Sequence, residues 1–260
     1  MDFTRKKYGL LVRALKERGY DFITFAEYCA GPRPARFVVL RHDVDLLPEH
    51  SRAIARLEAG EGVKASYYFR AVPESWDESV IKAIAEMGHE IGYHYESLTT
   101  CNGDVDAAYS DFCRNLEALR RLAPVKTICM HGSPRSPFDS KDIWKKYDFE
   151  ALDILGEPYL TTDYAHLLYL TDTGRRWDGY KVSVRDKIEH YQEQWNRAGW
   201  SFHRTGDILD ALRRDALPDC LMMTTHPQRW NPFGIAWLKE LLVQNAKNVI
   251  KAWIVKRGKK

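Results

Sequence analysis

The stretch Phe37-Val38-Val39-Leu40-Arg41-His42-Asp43-Val44-Asp45, followed by Pro48, decides how the chain is read. Its first four residues are apolar and read as a short buried strand. The strand runs directly into charge, and Pro48 then opens a helical pattern over 48–60 that stops near Gly60 and Gly62. Side chains alternate along a strand, so Asp43 and Asp45 leave on one face, roughly 6–7 Å apart. Two neighbouring carboxylates are costly to bury unless a cation or a shared proton compensates them. The pair therefore reads either as a metal ligand beside a general base or as a capped strand end before the helix.

Outward from this segment, strand and helix patterns alternate to both ends. Residues 2–18 carry Tyr8, Leu11 and Leu15 on one helical stripe. After the 48–60 helix come a strand at Ala65–Arg70, a helix at 77–87 and a strand at His89–His94. A helix at 104–122, ended by Pro124, leads to a strand at Lys126–Met130. Residues 131–180 are irregular, with strands expected near 151–155 and 167–171. Helices follow at 183–197 and 205–215, then a strand at Cys220–Thr225 and a last helix at 233–253. Alternation of this kind implies parallel βαβ units, in a doubly wound sheet or a barrel. With 260 residues, 45% hydrophobic, and no internal repeat or linker, one domain spanning 1–260 is preferred over two small ones.

Composition excludes several classes. The net charge of +3 is mild and both signs are interspersed, which argues against a nucleic-acid surface. No run of about 18 apolar residues calls for a membrane span. The five cysteines include no Cys-x-x-Cys, and the start Met1–Lys7 lacks a secretory pattern, so reduced thiols in a cytoplasmic protein are expected. The C-terminal helix, with Trp237, Leu241, Val249 and Trp253, precedes the basic tail Lys256-Arg257-Gly258-Lys259-Lys260. Contact with an anionic membrane surface is one reading of it. A helix packed on the domain with a solvated tail is the commoner one.

Four strand ends share a pattern: an apolar strand runs into a metal-competent residue. They are Asp43/Asp45, His94 with Glu96 two residues on, His131 in His131-Gly132-Ser133-Pro134, and His226. Parallel strands would put all four on one rim, where imidazoles and carboxylates meet the needs of a divalent site. His226 reads as a ligand or a proton donor, with the donor favoured. His89 should face away from the rim, and His42 points opposite to Asp43.

At this point a resemblance emerges. Gly88-His89-Glu90-Ile91-Gly92-Tyr93-His94 resembles the second motif of the polysaccharide deacetylase superfamily, of the chitooligosaccharide deacetylase type. Asp43-Val44-Asp45 is similar to its first motif, a base followed by a metal ligand, and Leu221–His226 to its last, a strand ending in a catalytic histidine. The resemblance implies a distorted (β/α) barrel with fewer than eight strands and a divalent metal, zinc foremost. It implies hydrolysis of an acyl group on a sugar, with Asp43 as base, His226 as acid, and Asp45 and His94 as ligands. This chain departs from the pattern at Val44, which separates the aspartates, and at Leu98, which stands where the family's second metal histidine falls. His131, standing where the family places its third motif, is the candidate third ligand. Glu96 is the alternate. The aspartate spacing also resembles the branch that deformylates lipid-linked amino sugars. The set of motifs, with Thr171-Asp172-Thr173-Gly174-Arg175-Arg176-Trp177, resembles a branch found with surface-polysaccharide biosynthesis enzymes.

The expected function is thus metal-dependent removal of an N-acetyl or N-formyl group from an amino sugar, nucleotide- or lipid-linked. A sugar-binding barrel without turnover is the alternative that Leu98 raises, and a cyclic-amide (ureide) hydrolase is another. Arg175 and Trp177, mixing cation and indole, read as a substrate clamp or as a salt-bridged loop with a plugged indole. Arg229, in Gln228-Arg229-Trp230, is expected to add a second wall.

Overall fold

The computed structural model describes residues 1–133, 136–177 and 188–257. Pro134, Asp178, the 183–187 part of the expected helix and Gly258-Lys259-Lys260 lie outside the described residues, as do the side chains of Val249 and Trp253. The chain runs α1 (Arg5–Glu17), β1 (Asp21–Ile23), α2 (Phe25–Ala30), β2 (Phe37–Val44), α3 (Pro48–Gly60), β3 (Ser66–Phe69), α4 (Glu78–Glu86) and β4 (Glu90–Tyr95). It continues with α5 (Ser97–Thr100), α6 (Val105–Arg120), β5 (Val125–Met130), α7 (Pro158–Thr161), β6 (Leu168–Thr171), α8 (Glu189–Arg197), α9 (Thr205–Arg213), β7 (Cys220–Thr225) and α10 (Ile235–Arg257).

The seven strands form one sheet, ordered β5-β4-β3-β2-β7-β6, with β1 also on β2. Every pairing is parallel. This is the α/β architecture of fewer than eight strands that the sequence implies; β5 and β6 end the path and do not pair with each other among the described residues. β2 is central, and all eight of its residues are buried. β7 lies along residues 37–42 of β2, while β1 and β3 meet it at 37–39 and 41–44. A strand has two edges, so β1 and β3 share the edge that β7 leaves. The C-terminal ends of all strands but the short β1, which stops level with Val39, therefore fall on one rim.

The elements form where local chemistry favours them. Thr4 caps α1, its Oγ1 accepting the Lys7 N–H at 3.2 Å. Asp77 and Asp104 cap α4 and α6 in the same way. β1 and α2 have no counterpart in the sequence reading. Three residues of strand carry too little periodicity to register, although Thr24-x-x-Glu27 is a complete capping box at the start of α2. The strand expected at 151–155 is instead a single 3-10 turn at Glu150–Leu152. Asp153 takes a left-handed φ of 57°, which interrupts extension, and the chain rejoins β5 only through Leu155 N–H to Lys126 O (2.8 Å) and Gly156 O to Ile128 N–H (3.1 Å). None of the described helices is long and apolar enough to cross a membrane.

Beneath the rim lies a buried polar knot. Glu58 of α3 accepts from Tyr8, from Tyr67 (2.6 Å) and from His42 Nε2 (2.8 Å). His42 Nδ1 lies 2.6 Å from Thr225 Oγ1 of β7. The knot ties α1, α3, β2, β3 and β7 together just below Asp43 and His226. His89, at the far end of β4, accepts from the Ala65 N–H and donates to Ala55 O, away from the rim.

Candidate metal centre

Five strand ends meet on the rim. Asp43 and Asp45 come from β2, His94 from β4, His131 from the residue after β5, Asp172 from the residue after β6 and His226 from the residue after β7. Register explains the convergence: His94 pairs with Cys129, and Thr171 at the end of β6 pairs with Thr224. Asp172, one residue past Thr171, and His226, two past Thr224, are thereby brought together.

Three imidazoles turn Nε2 toward one carboxylate. His94 Nε2 is 3.7 Å from Asp45 Oδ1, His131 Nε2 is 3.6 Å from the same oxygen, and His226 Nε2 is 3.8 Å from Asp45 Oδ2. Their Nδ1 atoms are engaged behind them. His94 Nδ1 donates to Cys129 O at 2.9 Å, and His131 Nδ1 donates to Glu96 Oε2 at 2.9 Å. A neutral imidazole that donates through Nδ1 presents a lone pair at Nε2. Asp45 Oδ1 is buried and has no hydrogen-bond donor. Lone pairs of His94, His131 and Asp45 thus face one another across a shared space, which is unfavourable unless a cation fills it. The separations of 3.6–3.7 Å are close to the roughly 3.3–3.4 Å between ligands of a tetrahedral ion with bonds of about 2.0–2.1 Å. Asp45, His94 and His131 fit a divalent ion.

The surrounding charges are arranged to match. Burial pushes the Asp45 carboxyl up, but His94, His226 and His131 together hold it well below the usual carboxylate range. Burial would lower His94, yet Asp43 and Asp45 outweigh it and raise the imidazole above its ordinary value. Arg41 grips Asp43 with both arms, Nε to Oδ1 at 2.9 Å and Nη2 to Oδ2 at 2.7 Å. Against the penalty of burial, this fork and His94 keep Asp43 ionised below its ordinary value. Its Oδ2 lies 3.8 Å from His94 Nε2.

Glu96 sits behind His131. One of its oxygens accepts from His131 Nδ1 and the other from Arg70 Nε (2.9 Å) and Nη2 (2.6 Å). Despite burial, His131 and Arg70 bring Glu96 down to about 2. With both oxygens so occupied, it orients an imidazole and does not face the shared space. Cys129 also brings its thiol within 4.8 Å of Asp43 and His94, as a fully buried wall.

Asp172 does for His226 what Glu96 does for His131. Its Oδ1 lies 2.6 Å from His226 Nδ1 and 2.5 Å from Arg229 Nη1, and its Oδ2 accepts from Trp230 Nε1 (2.8 Å) and the His226 N–H (3.0 Å). Asp172 and Arg41 carry no role in the sequence reading. Asp172 had a signal, since it too is a polar residue at the end of an apolar strand. Gln228, in the segment expected to add a second wall, reaches the cluster directly, its Nε2 donating to Asp45 Oδ2 at 3.2 Å.

Of the residues expected around a substrate, Trp177 and Arg175 fall elsewhere, and Arg229 lies behind the cluster, its Nη1 2.6 Å from His226 Nδ1. Trp177 is buried, packed between Phe3 (6.3 Å) and Trp230 (6.1 Å), with Nε1 donating to Thr205 Oγ1. Its ring has no open face for a sugar. Arg229 is spent on Asp172. Arg175 lies among Phe3 and Trp237, apart from the histidines.

No protein-family model matches the chain, and no curated protein matches it. Among solved structures, a carbohydrate esterase of family 4 (CE4) from Streptococcus mutans superposes with a TM-score of 0.45 at 15% identity, over 92% of this chain and 90% of that one. PdaA of Bacillus subtilis, a family 4 carbohydrate esterase, gives 0.42 at 10% identity, over 92% and 83%. A CE4 family pseudoenzyme from Bacillus anthracis gives 0.39 at 15%, over 85% and 66%.

Proposed function

We propose that the rim cluster hydrolyses the N-acyl group, acetyl or formyl, of an amino sugar, with a divalent ion held by Asp45, His94 and His131 and zinc as that ion. The observation that carries this reading is the convergence of three lone pairs on a space flanked by an ionised carboxylate and a carboxylate-backed imidazole. When bound, such an ion would polarise the acyl carbonyl and acidify a water molecule.

The chain's own groups then divide the proton work. Asp43 receives a proton at Oδ2, the oxygen turned toward His94. Its Arg41 fork makes it a poor base toward bulk water, so it suits a proton donor that is itself acidified. His226 carries a proton at Nε2 to the leaving amine, and Asp172 stabilises the imidazolium from behind. Arg229 and Trp230 position Asp172 for that task. Acid and base are kept apart by their surroundings, one ionised by Arg41 and the other backed by Asp172. The motif resemblance supports nucleotide- or lipid-linked sugars of surface-polysaccharide biosynthesis as substrates.

The test is protein loaded with Zn²⁺ and assayed for acetate and formate release from N-acetyl and N-formyl amino sugars, with small ureides alongside. Asp43→Asn should lower kcat by about 10²–10⁴-fold and leave bound zinc unchanged. Stoichiometric zinc with no turnover on any of these would instead favour a sugar-binding barrel, and full activity of Asp43→Asn would remove the assigned base.

A further inference from the structure

A second site is built around Arg175, on the far side of the Phe3–Trp230 contact from His226. The residue is 7% exposed, yet its side chain makes no hydrogen bond or ion pair among the described residues. Phe3 and Trp237 each lie 5.1 Å from the guanidinium carbon, and Nε and Nη1 are sealed without partners. The rest of the group lines a cleft of about 730 Å³. Its backbone sits at a left-handed φ of 56°, a conformation unfavourable for a non-glycine residue. Asn248 secures the turn by donating to Gly174 O at 2.8 Å. Glu240, Asp172 and Asp2 act on the Arg175 charge, but none of them accepts a hydrogen bond from it, which leaves the group open to an acceptor from outside the chain.

The cleft's other walls say what that acceptor is. Arg176 and Arg204 add two guanidinium groups, the first of them already bonded through Nη2 to His203 at 2.7 Å. Two carboxylates also line it, but they are engaged: Asp2 accepts from the Phe3 and Thr205 N–H groups, and Asp207 Oδ2 from those of His203 and Arg204. Trp237 and Leu241 supply apolar wall. A volume of this size takes a small organic molecule, more than a bare ion requires. We infer that the cleft binds a small organic phosphate ester, its phosphate on Arg175 and its organic part against Trp237 and Leu241. A phosphate oxygen matches in charge and hydrogen-bonding capacity the Nη2 end of the guanidinium, the part that is not sealed. The site is linked to the rim, because Phe3 packs on Trp230 at 5.0 Å and Trp230 holds Asp172.

The inference does not depend on the hydrolytic reading, and its test reads binding alone. Metal-free full-length protein would be titrated calorimetrically with glucose 6-phosphate and with inorganic phosphate, using glucose and chloride at matched ionic strength as controls. Saturable binding near one per chain is expected for a phosphate probe and none for glucose. Arg175→Gln should weaken it about 10- to 100-fold, the loss of a charge-assisted contact. Asn245→Glu places a carboxylate at an exposed lining position of α10 and should weaken binding severalfold without touching the fold. Asp45→Asn, which alters only the rim, should bind as the wild type does. If neither probe saturates by 10 mM (on the order of the weakest specific sites), or if both Arg175→Gln and Asn245→Glu bind like wild type, the inference fails.

Discussion

In the proposed metal site, His131 stands in for a residue from a different part of the chain. Leu98, where the resembled family carries a histidine, is buried on α5 and offers no lone pair. The imidazole of His131 arrives from the end of β5 and fills the same need. Its aim depends on Glu96, which is in turn clamped by Arg70. Partners of this kind typically govern metal affinity by 10–100-fold. Glu96→Gln should therefore weaken zinc binding by about that factor, while His131→Ala should reduce it further; competition titration against a chromophoric chelator reads both. Equal affinity in Glu96→Gln and wild type would show that the carboxylate does not orient the ring. His94 and the aspartates were legible as residues, because each ends an apolar strand. Arg41 was visible but mute, since an arginine two positions from an aspartate has many possible partners until burial closes its choices.

Elements hold these residues in register, and β4 shows the constraint most sharply. A Cβ on Gly92 would lie 2.4 Å from two ring carbons of Tyr68 on the neighbouring strand. Tyr68 is fully buried and anchored through its hydroxyl to Thr127 at 2.8 Å, so the ring has nowhere to move. Gly92→Ala should cost about 1–3 kcal/mol, the usual penalty of overpacking, measured by chemical denaturation. A wild-type midpoint in that variant would mean the ring is free to shift. Strong periodicity made the long helices and the six strands β2, β3, β4, β5, β6 and β7 readable in advance. β1 escaped because its three residues are extended only through pairing with β2, and the strand expected at 151–155 shrank to a bridge at Gly156 because Asp153 breaks its extension.

For the molecule as a whole, the Glu58 knot joins both layers of the fold under the rim. Burial would raise the Glu58 carboxyl, but His42 and Tyr67 outweigh it and hold the group below its ordinary value of 4.5. A depressed folded value means that the unfolded chain binds the proton more readily. The stabilisation is thus fully present above about pH 4.5 and is lost as pH falls through the folded value. Glu58→Gln should be less stable at neutral pH and show a flatter acid limb in denaturation curves taken across that window. Identical acid limbs in the two proteins would take Glu58 out of the acid response. The sequence alone determined the alternation of strands and helices, the parallel sheet that follows from it, and the polar residues ending the strands, because these are matters of local periodicity and spacing. Tertiary structure alone decided that Asp172 backs His226, that Glu96 serves His131, that Trp177 is interior and that Arg175 faces a cleft of its own. Those outcomes turn on which strands lie side by side and on what seals a side chain from water, and neither is written in the spacing of residues along the chain.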